Sequence, residues 1–351
     1  MRLNNLVVLI LILVSSCKKE TQPLTAISTL ENGMLVLCEG LFQQNNSSLS
    51  WINLQNEEVD VDFFNTKNGR FLGDTGNDMQ VYGGKIYIVV NNSNTLEILS
   101  KSSGESIKQL AMTVNGNGKQ PRSIAFHGSK AFITCYDGYV DVLDTLTLTI
   151  TNRIKVGANP EGLAVSNGKL FVANSGGLNV SLPDSTVSII DLSTFQEIKK
   201  ITVGKNPGNI NVDEQGDVYV IARGNYGSIP SRMVKIDPIT NTVSQTFSFD
   251  ASKIERMNDH FLISFYNYST ETSEIRLFNT VTENIVSNSF ISTNDITTLY
   301  GIYYNSTSDK IFCLDAMSYT NSGYVRQYNS SGIFEKSYHV GLNPSKIIFY
   351  Q

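Results

Sequence analysis

The side chains able to move protons or hold metals are few and scattered. Histidine occurs only at 127, 260 and 339. His127 reads as part of a turn, His260 as the start of a strand and His339 as the end of one, so structural or surface roles are expected. Asp144, Asp191 and Asp237 recur at intervals of 47 and 46 residues, each closing an apolar alternating run. That placement predicts the same turn hydrogen bond at each and no shared catalytic role. Cys38, Cys135 and Cys313 sit in the apolar runs LVLC, AFITC and KIFC and read as small buried hydrophobes, without a C-x-x-C pair or metal spacing. Nucleophile elbows, phosphate loops and zinc motifs are absent, and the Asn-Gly repeat at 115–118 is a loop because no helix follows it. No cofactor and no enzyme activity are therefore expected. The chemistry on offer is recognition: Phe42, Tyr136, Tyr226, Tyr266, Tyr268 and Tyr319 lie in irregular stretches among Asn, Ser and Arg. Flat amphipathic rings beside adaptable amides suit a polar organic ligand or a protein partner.

The elements that must position these residues are repeats. Residues 159–204 read as four short strands by alternation (162–166, 169–173, 186–192 and 197–203), separated by Asn-Gly, Gly-Gly and Ser-Thr turns, and the pattern restarts at Asn206. Four strands returning to one motif after 47 residues are a propeller blade. The lead-in Gly157-Ala158-Asn159-Pro160 recurs as Gly204-Lys205-Asn206-Pro207 and Gly341-Leu342-Asn343-Pro344. Pro207 and Pro344 are 137 residues apart, three units of about 46. The count gives seven blades: an all-β, seven-bladed β-propeller, each blade a four-stranded antiparallel sheet. Blade one begins one strand late, at 34–38, so the last strand, 345–350, must supply its inner strand and close the ring. Proline suits the first residue of a strand, and the Asn before it is expected in the extended region. The lone Trp51 is expected in the core between blades.

In such a ring the lead-ins to the inner strands and the loops joining second to third strands emerge on one face. The lead-ins place Asn77, Arg122, Glu161, Asn209, Tyr300 and Lys346 at the channel rim. The long loops 39–47, 174–184, 223–232, 266–273 and 317–323 add Asn174 and Arg223 to the aromatic residues above. These positions form the candidate binding face.

The first sixteen residues stand outside the fold. A positive start at Arg2, an apolar run over 6–14 and small residues before Cys17 read as a signal peptide, too short to span a bilayer. Val14-Ser15-Ser16-Cys17 resembles a bacterial lipobox, which implies cleavage after Ser16 and acylation of Cys17, a stable membrane anchor. Residues 17–32 are then a lipid-anchored tether and 33–351 the propeller. Lys18 in place of Asp points to the outer membrane, and Lys18-Lys19-Glu20 resembles surface-export signals of Bacteroidetes lipoproteins; the sequence leaves surface and periplasmic orientation open. Losing residues 1–16 removes Arg2 and no acid, leaving 26 basic and 32 acidic side chains, net −6. That balance argues against nucleic acid.

The segments KLFVANSG, STVSIIDL and KITVGKNP resemble the YVTN (YncE-like) family of seven-bladed propellers, over roughly residues 34–351 and most sharply in blades three to five. Lipid-anchored Bacteroidetes members of that family are similar in length, lipobox and blade pattern. The resemblance implies capture of a corrinoid (vitamin B12) or other nutrient for an outer-membrane transporter, with no binding motif matched residue by residue. Two other classes stay open: a protein-interaction platform in a cell-surface complex, and a propeller enzyme of lyase or quinoprotein-like type.

Overall fold

Seven four-stranded antiparallel sheets, six of them built in chain order from the axis outward and the first completed by the C-terminal strand, make a closed ring. The computed structural model describes residues 29–350 apart from 178, 180, 182, 268, 269 and 271. The expected signal peptide over 1–16, the expected lipidation site Cys17, and Tyr268 lie outside the described residues. Leu30, which the sequence reading leaves in the tether, is buried with Trp51, Phe63 and Tyr350. The inner strands of blades two to seven are Gly76–Tyr82, Pro121–His127, Pro160–Ser166, Pro207–Val212, Lys253–Met257 and Leu299–Asn305. The C-terminal strand Pro344–Phe349 is the inner strand of blade one, antiparallel to Gly33–Cys38 with Met34 opposite Phe349 and Val36 opposite Ile347.

The sheet alternation explains where the core sits. Residues of a second strand point alternately to the two neighbouring blades. In Lys169–Asn174, Leu170 and Val172 pack with Val140 and Val142 of blade three, whereas Phe171 and Ala173 pack with Val218 and Val220 of blade five. The same division holds around the ring, and each of the seven blade interfaces has its own apolar cluster. No blade buries both faces alone, so the ring folds as one unit. Cys38, Cys135 and Cys313 are free and buried within these clusters, and Trp51 lies between blades one and two.

Two expectations need correction. The apolar run 59–64, which reads from sequence as a strand of blade one, is strand only over Val59–Asp60 and gives way to a short helix, Phe63–Asn68, whose Phe63 and Phe64 are buried. Adjacent phenylalanines point to opposite faces of a strand, but on a helix they are only about 100° apart and both can reach the core. The Asn before each lead-in proline is not extended: φ is 45° at Asn159, 56° at Asn206 and 55° at Asn343, with Gln120 (51°) and Thr75 (62°) alike. This left-handed turn aims each carbonyl at the residue that follows a second strand. Asn343 accepts from Glu39 N–H at 2.9 Å, Gln120 from Tyr136 at 3.1 Å and Asn206 from Arg223 at 3.0 Å. Asn tolerates φ above zero better than other residues with a Cβ, and the hydrogen bond offsets the strain. The recurrent aspartates behave as expected: Asp144 accepts from Leu146 N–H and Thr147 N–H, Asp191 from Ser193 and Thr194, and Asp237 from Ile239 and Thr240.

Candidate functional site

The inner strands leave an axial lumen of about 860 Å³, open to solvent. Strand register sorts its wall into rings. One residue past each lead-in position stand Asn77, Arg122, Glu161, Gly208, Ser252, Tyr300 and Ser345, one per blade. The next ring carries Asp78, Asn209, Lys253 and Lys346; deeper still lie Gln80, Asn211, Glu255 and Tyr303, all lining the lumen. The left-handed turn described above swings Glu39, Tyr136 and Arg223, the residues that follow three second strands, over the first ring.

The charged groups at the mouth are mostly paired. Arg122 reaches Glu161 of the neighbouring blade, with Nη2 at 2.5 Å and Nε at 3.2 Å from Oε1, and stacks 4.8 Å from the centre of the Tyr136 ring. Tyr136 OH donates to the other oxygen of Glu161 at 2.5 Å. Burial alone would push the Glu161 carboxyl up, but the cations of Arg122 and Arg223 and these hydrogen bonds hold it below the ordinary carboxylate range. Across the mouth, Tyr300 OH donates to Glu39, whose carboxyl burial pushes up. The Tyr319 ring stands edge-on to Tyr300 at 5.6 Å. Lys346 pairs with Asp78 at 3.1 Å. Lys253 donates to the carbonyl of Tyr300 and lies 4.7 Å from the centre of its ring. The lumen walls withdraw Lys253 from bulk water and, with Lys346 nearby, bring its ammonium down to about 8. The same withdrawal pushes Glu255 up to about 7.

That shift has a consequence for stability. The folded state holds the Glu255 proton more tightly than the unfolded chain, so its ionisation costs nothing at low pH and destabilises the fold as pH rises from about 4.5 through 7. Glu255→Gln should raise the melting midpoint by roughly 3 °C at pH 8 and leave it unchanged at pH 4. Melting scans at both values check it; equal shifts would mean an ordinary carboxyl.

Of the residues read from sequence as a binding face, Arg122, Tyr136 and Glu161 form one cluster and Tyr300 with Tyr319 another, and Arg223 lines the lumen between them. Asn77 and Asn209 also line it, yet tie blades together. Asn77 Nδ2 donates to the Arg122 carbonyl at 2.6 Å, and Asn209 Oδ1 accepts from Ile254 N–H at 2.9 Å. Asn174 is a correction. The second strand of blade four runs one residue further than expected, and the side chain is fully buried. Its oxygen accepts from Gly157 N–H, and its amide donates to Thr186 and Ser188, leaving nothing for a ligand. Phe42 and Tyr226 are exposed on the loops, outside the lumen wall, and Tyr266 continues the strand His260–Asn267. The three histidines stay apart: His127 ends an inner strand, His260 meets Asp259 at 2.7 Å and His339 packs on Tyr324.

Sequence reading missed Lys253, Glu255, Asp78 and Tyr303, and located Glu39 only as a loop end. The signal lay in Lys253-Ile254-Glu255, two charges flanking a buried Ile at strand spacing, which sends both to the face opposite the core. Among the described residues, no three His, Cys, Asp or Glu side chains stand where they could share a metal ion.

Residues 32–290 match the sequence profile of a family described as a domain of unknown function, DUF5074. No curated protein matches the chain in sequence. Among solved structures, a quinoprotein alcohol dehydrogenase-like protein from Bacteroides thetaiotaomicron is similar over 92% of this chain and 79% of its own, at TM-score 0.65 and 16% identity. A functionally unknown protein from Desulfotomaculum acetoxidans is similar over 90% of this chain and 98% of its own, at TM-score 0.64 and 12% identity. Hydrazine synthase of Kuenenia stuttgartiensis is similar over 75% of this chain and 85% of its own, at TM-score 0.61 and 14% identity. At these identities the likeness is one of fold.

Proposed function

The chain belongs to the DUF5074 family, and from that premise and the chemistry of the lumen we propose that it is a lipid-anchored binding protein of the outer membrane, acting by capture and release. The supporting observation is the convergence, around one open lumen, of arginine, lysine, carboxylate and tyrosine side chains from all seven blades. Most are held by their neighbours before any ligand arrives. Preorganised polar groups in a concave site favour binding because little ordering remains to be done.

The ligand implied by the resemblance to YncE-like Bacteroidetes lipoproteins is a corrinoid. A broad ring fringed with amides would offer acceptors to Arg223 and Lys253 and a flat face to Tyr300 and Tyr319. Exposed Phe42, Tyr226 and Tyr319 on the loop face suit the docking of a transporter that receives the ligand. Titration of the detergent-solubilised full chain with cobalamin and with cobinamide tests the reading by calorimetry and thermal shift. Saturable heat with a raised melting midpoint is expected. Flat traces with both would remove the corrinoid and favour a protein-interaction platform.

A further inference from the structure

The lumen holds four cations, Arg122, Arg223, Lys253 and Lys346, and only two have carboxylate partners: Arg122 on Glu161 and Lys346 on Asp78. Arg223 and Lys253, on adjacent blades, make no ion pair among the described residues. Arg223 has only a long contact, 3.5 Å, from Nε to the Asn206 carbonyl. Lys253 has the Tyr300 carbonyl and ring. Both line the one lumen, where the charge of Arg223 disfavours the Lys253 ammonium and Glu161 is near enough to feel Arg223 and to act on Lys253. Two cations held beside one another in a walled lumen are costly unless an anion joins them.

The acids of the site do not fill that role. Both oxygens of Glu161 are occupied by Arg122 and Tyr136. Glu39 is bonded to Tyr300, and Glu39 and Glu255 both have carboxyls pushed up toward their neutral forms. The backbone makes room for the arrangement. Blade five has glycine in the first ring, and a Cβ on Gly208 would stand 2.6 Å from Arg223 Cζ. The guanidinium thus lies over bare backbone at the lumen wall.

We infer that the mouth is built to hold an oxyanion carried on an organic ligand, clamped between Arg223 and Lys253 with the body of the ligand against Tyr300 and Tyr319. The inference rests on the binding-protein reading above and names the chemistry of the group that this site takes. A planar guanidinium suits the paired oxygens of a carboxylate or phosphate, and the ammonium supplies the second charge.

Four probes test it on the solubilised full chain by calorimetry: benzoate and phenyl phosphate, which carry a ring, and acetate and inorganic phosphate, which do not. The ring-bearing anions should bind more tightly than their bare counterparts, and neutral benzamide should not bind. Benzoate tighter than phenyl phosphate would mark a carboxylate ligand, and the reverse order a phosphate. Arg223→Gln and Lys253→Gln should each weaken binding at least tenfold. Gly208→Ala keeps both charges and only displaces the guanidinium, so it should weaken binding several-fold with an unchanged melting midpoint. Affinity should also fall as pH rises through about 8, where Lys253 loses its proton. Lys253 is faced there by Glu39, Glu161, Arg223, Lys346 and Tyr300, and the deeper Glu255 titrates lower. Absence of binding by all four anions, or unchanged affinity in the folded variants, would overturn the clamp. Corrinoid binding that survives Arg223→Gln and Lys253→Gln would sink the clamp and spare the proposed function. Anion binding that depends on both residues, without corrinoid binding, would do the opposite.

Discussion

A chain ending at Asn343 should fail to form the folded ring. Removing 344–351 takes away the strand Pro344–Phe349, which pairs along the whole of Gly33–Cys38. Ile347, Ile348 and Tyr350 are buried, and at about 2 kcal/mol per side chain their loss removes on the order of 6 kcal/mol. The loss continues beyond the strand. Leu35 and Leu37 face the blade two interface and Met34 and Val36 the blade seven interface, so two of the seven clusters open to water together. Asn343 would keep its turn without the strand that gives it a place, and Lys346 would no longer satisfy Asp78. Against a usual total stability of about 5–15 kcal/mol, the deficit leaves little or no folded population. Circular dichroism should show no cooperative melt, and size exclusion should show expanded or associated chain, because the bare edge of Gly33–Cys38 invites pairing between copies. A peptide of residues 343–351 supplied in trans should restore part of the transition. A truncated chain that melts within about 3 °C of the full chain would mean that closure adds almost nothing, contrary to the clusters.

The ring was legible in the sequence because a propeller repeats its punctuation. The Asn-Pro lead-ins, the aspartates at 144, 191 and 237 and the alternating runs between them recur at one period, and a final unpaired strand has one vacant edge to join. Where the period was broken, reading failed. Phe63 and Phe64, adjacent and both apolar, mark an α-helix that no other blade contains among the described residues. The site was less legible for a different reason. The functional rings are made by register, one residue past the lead-in and one past the second strand, and register cannot be counted in a diverged blade until the pairing is known. Arg122, Glu161 and Tyr300 were found because their lead-ins can be aligned. Lys253 was missed because blade six opens on Ala251-Ser252 instead of a proline. Asn174 shows the converse error: a residue at the start of a long loop reads as available, yet three hydrogen bonds hold it inside the blade.

Glu161→Ala should lower the stability of the fold by about 2–4 kcal/mol. The carboxylate and Arg122 are both largely withdrawn from water, with side-chain exposures of 13% and 19%, so removing one leaves the other charged and uncompensated. Tyr136 loses its acceptor in the same step, a further cost of about 1 kcal/mol. Arg122→Ala in the same chain should recover part of the deficit, and the coupling in that double-mutant cycle, read from denaturant midpoints, measures the pair itself. Its pH dependence has a definite sign. The Glu161 carboxyl lies below its ordinary 4.5, so the stabilisation is fully present above about 4.5 and is lost as pH falls through the lower folded value. Wild type and variant should therefore converge in strong acid. A constant gap between them would assign the loss to packing. Anion binding should move the other way. Glu161 balances Arg122 and its charge is also felt by Arg223 and Lys253, so without it the mouth carries an additional unbalanced cation. The same substitution that weakens the fold should therefore tighten benzoate or phenyl phosphate, which separates the two roles of one side chain: neutralising the rim and holding the ring together.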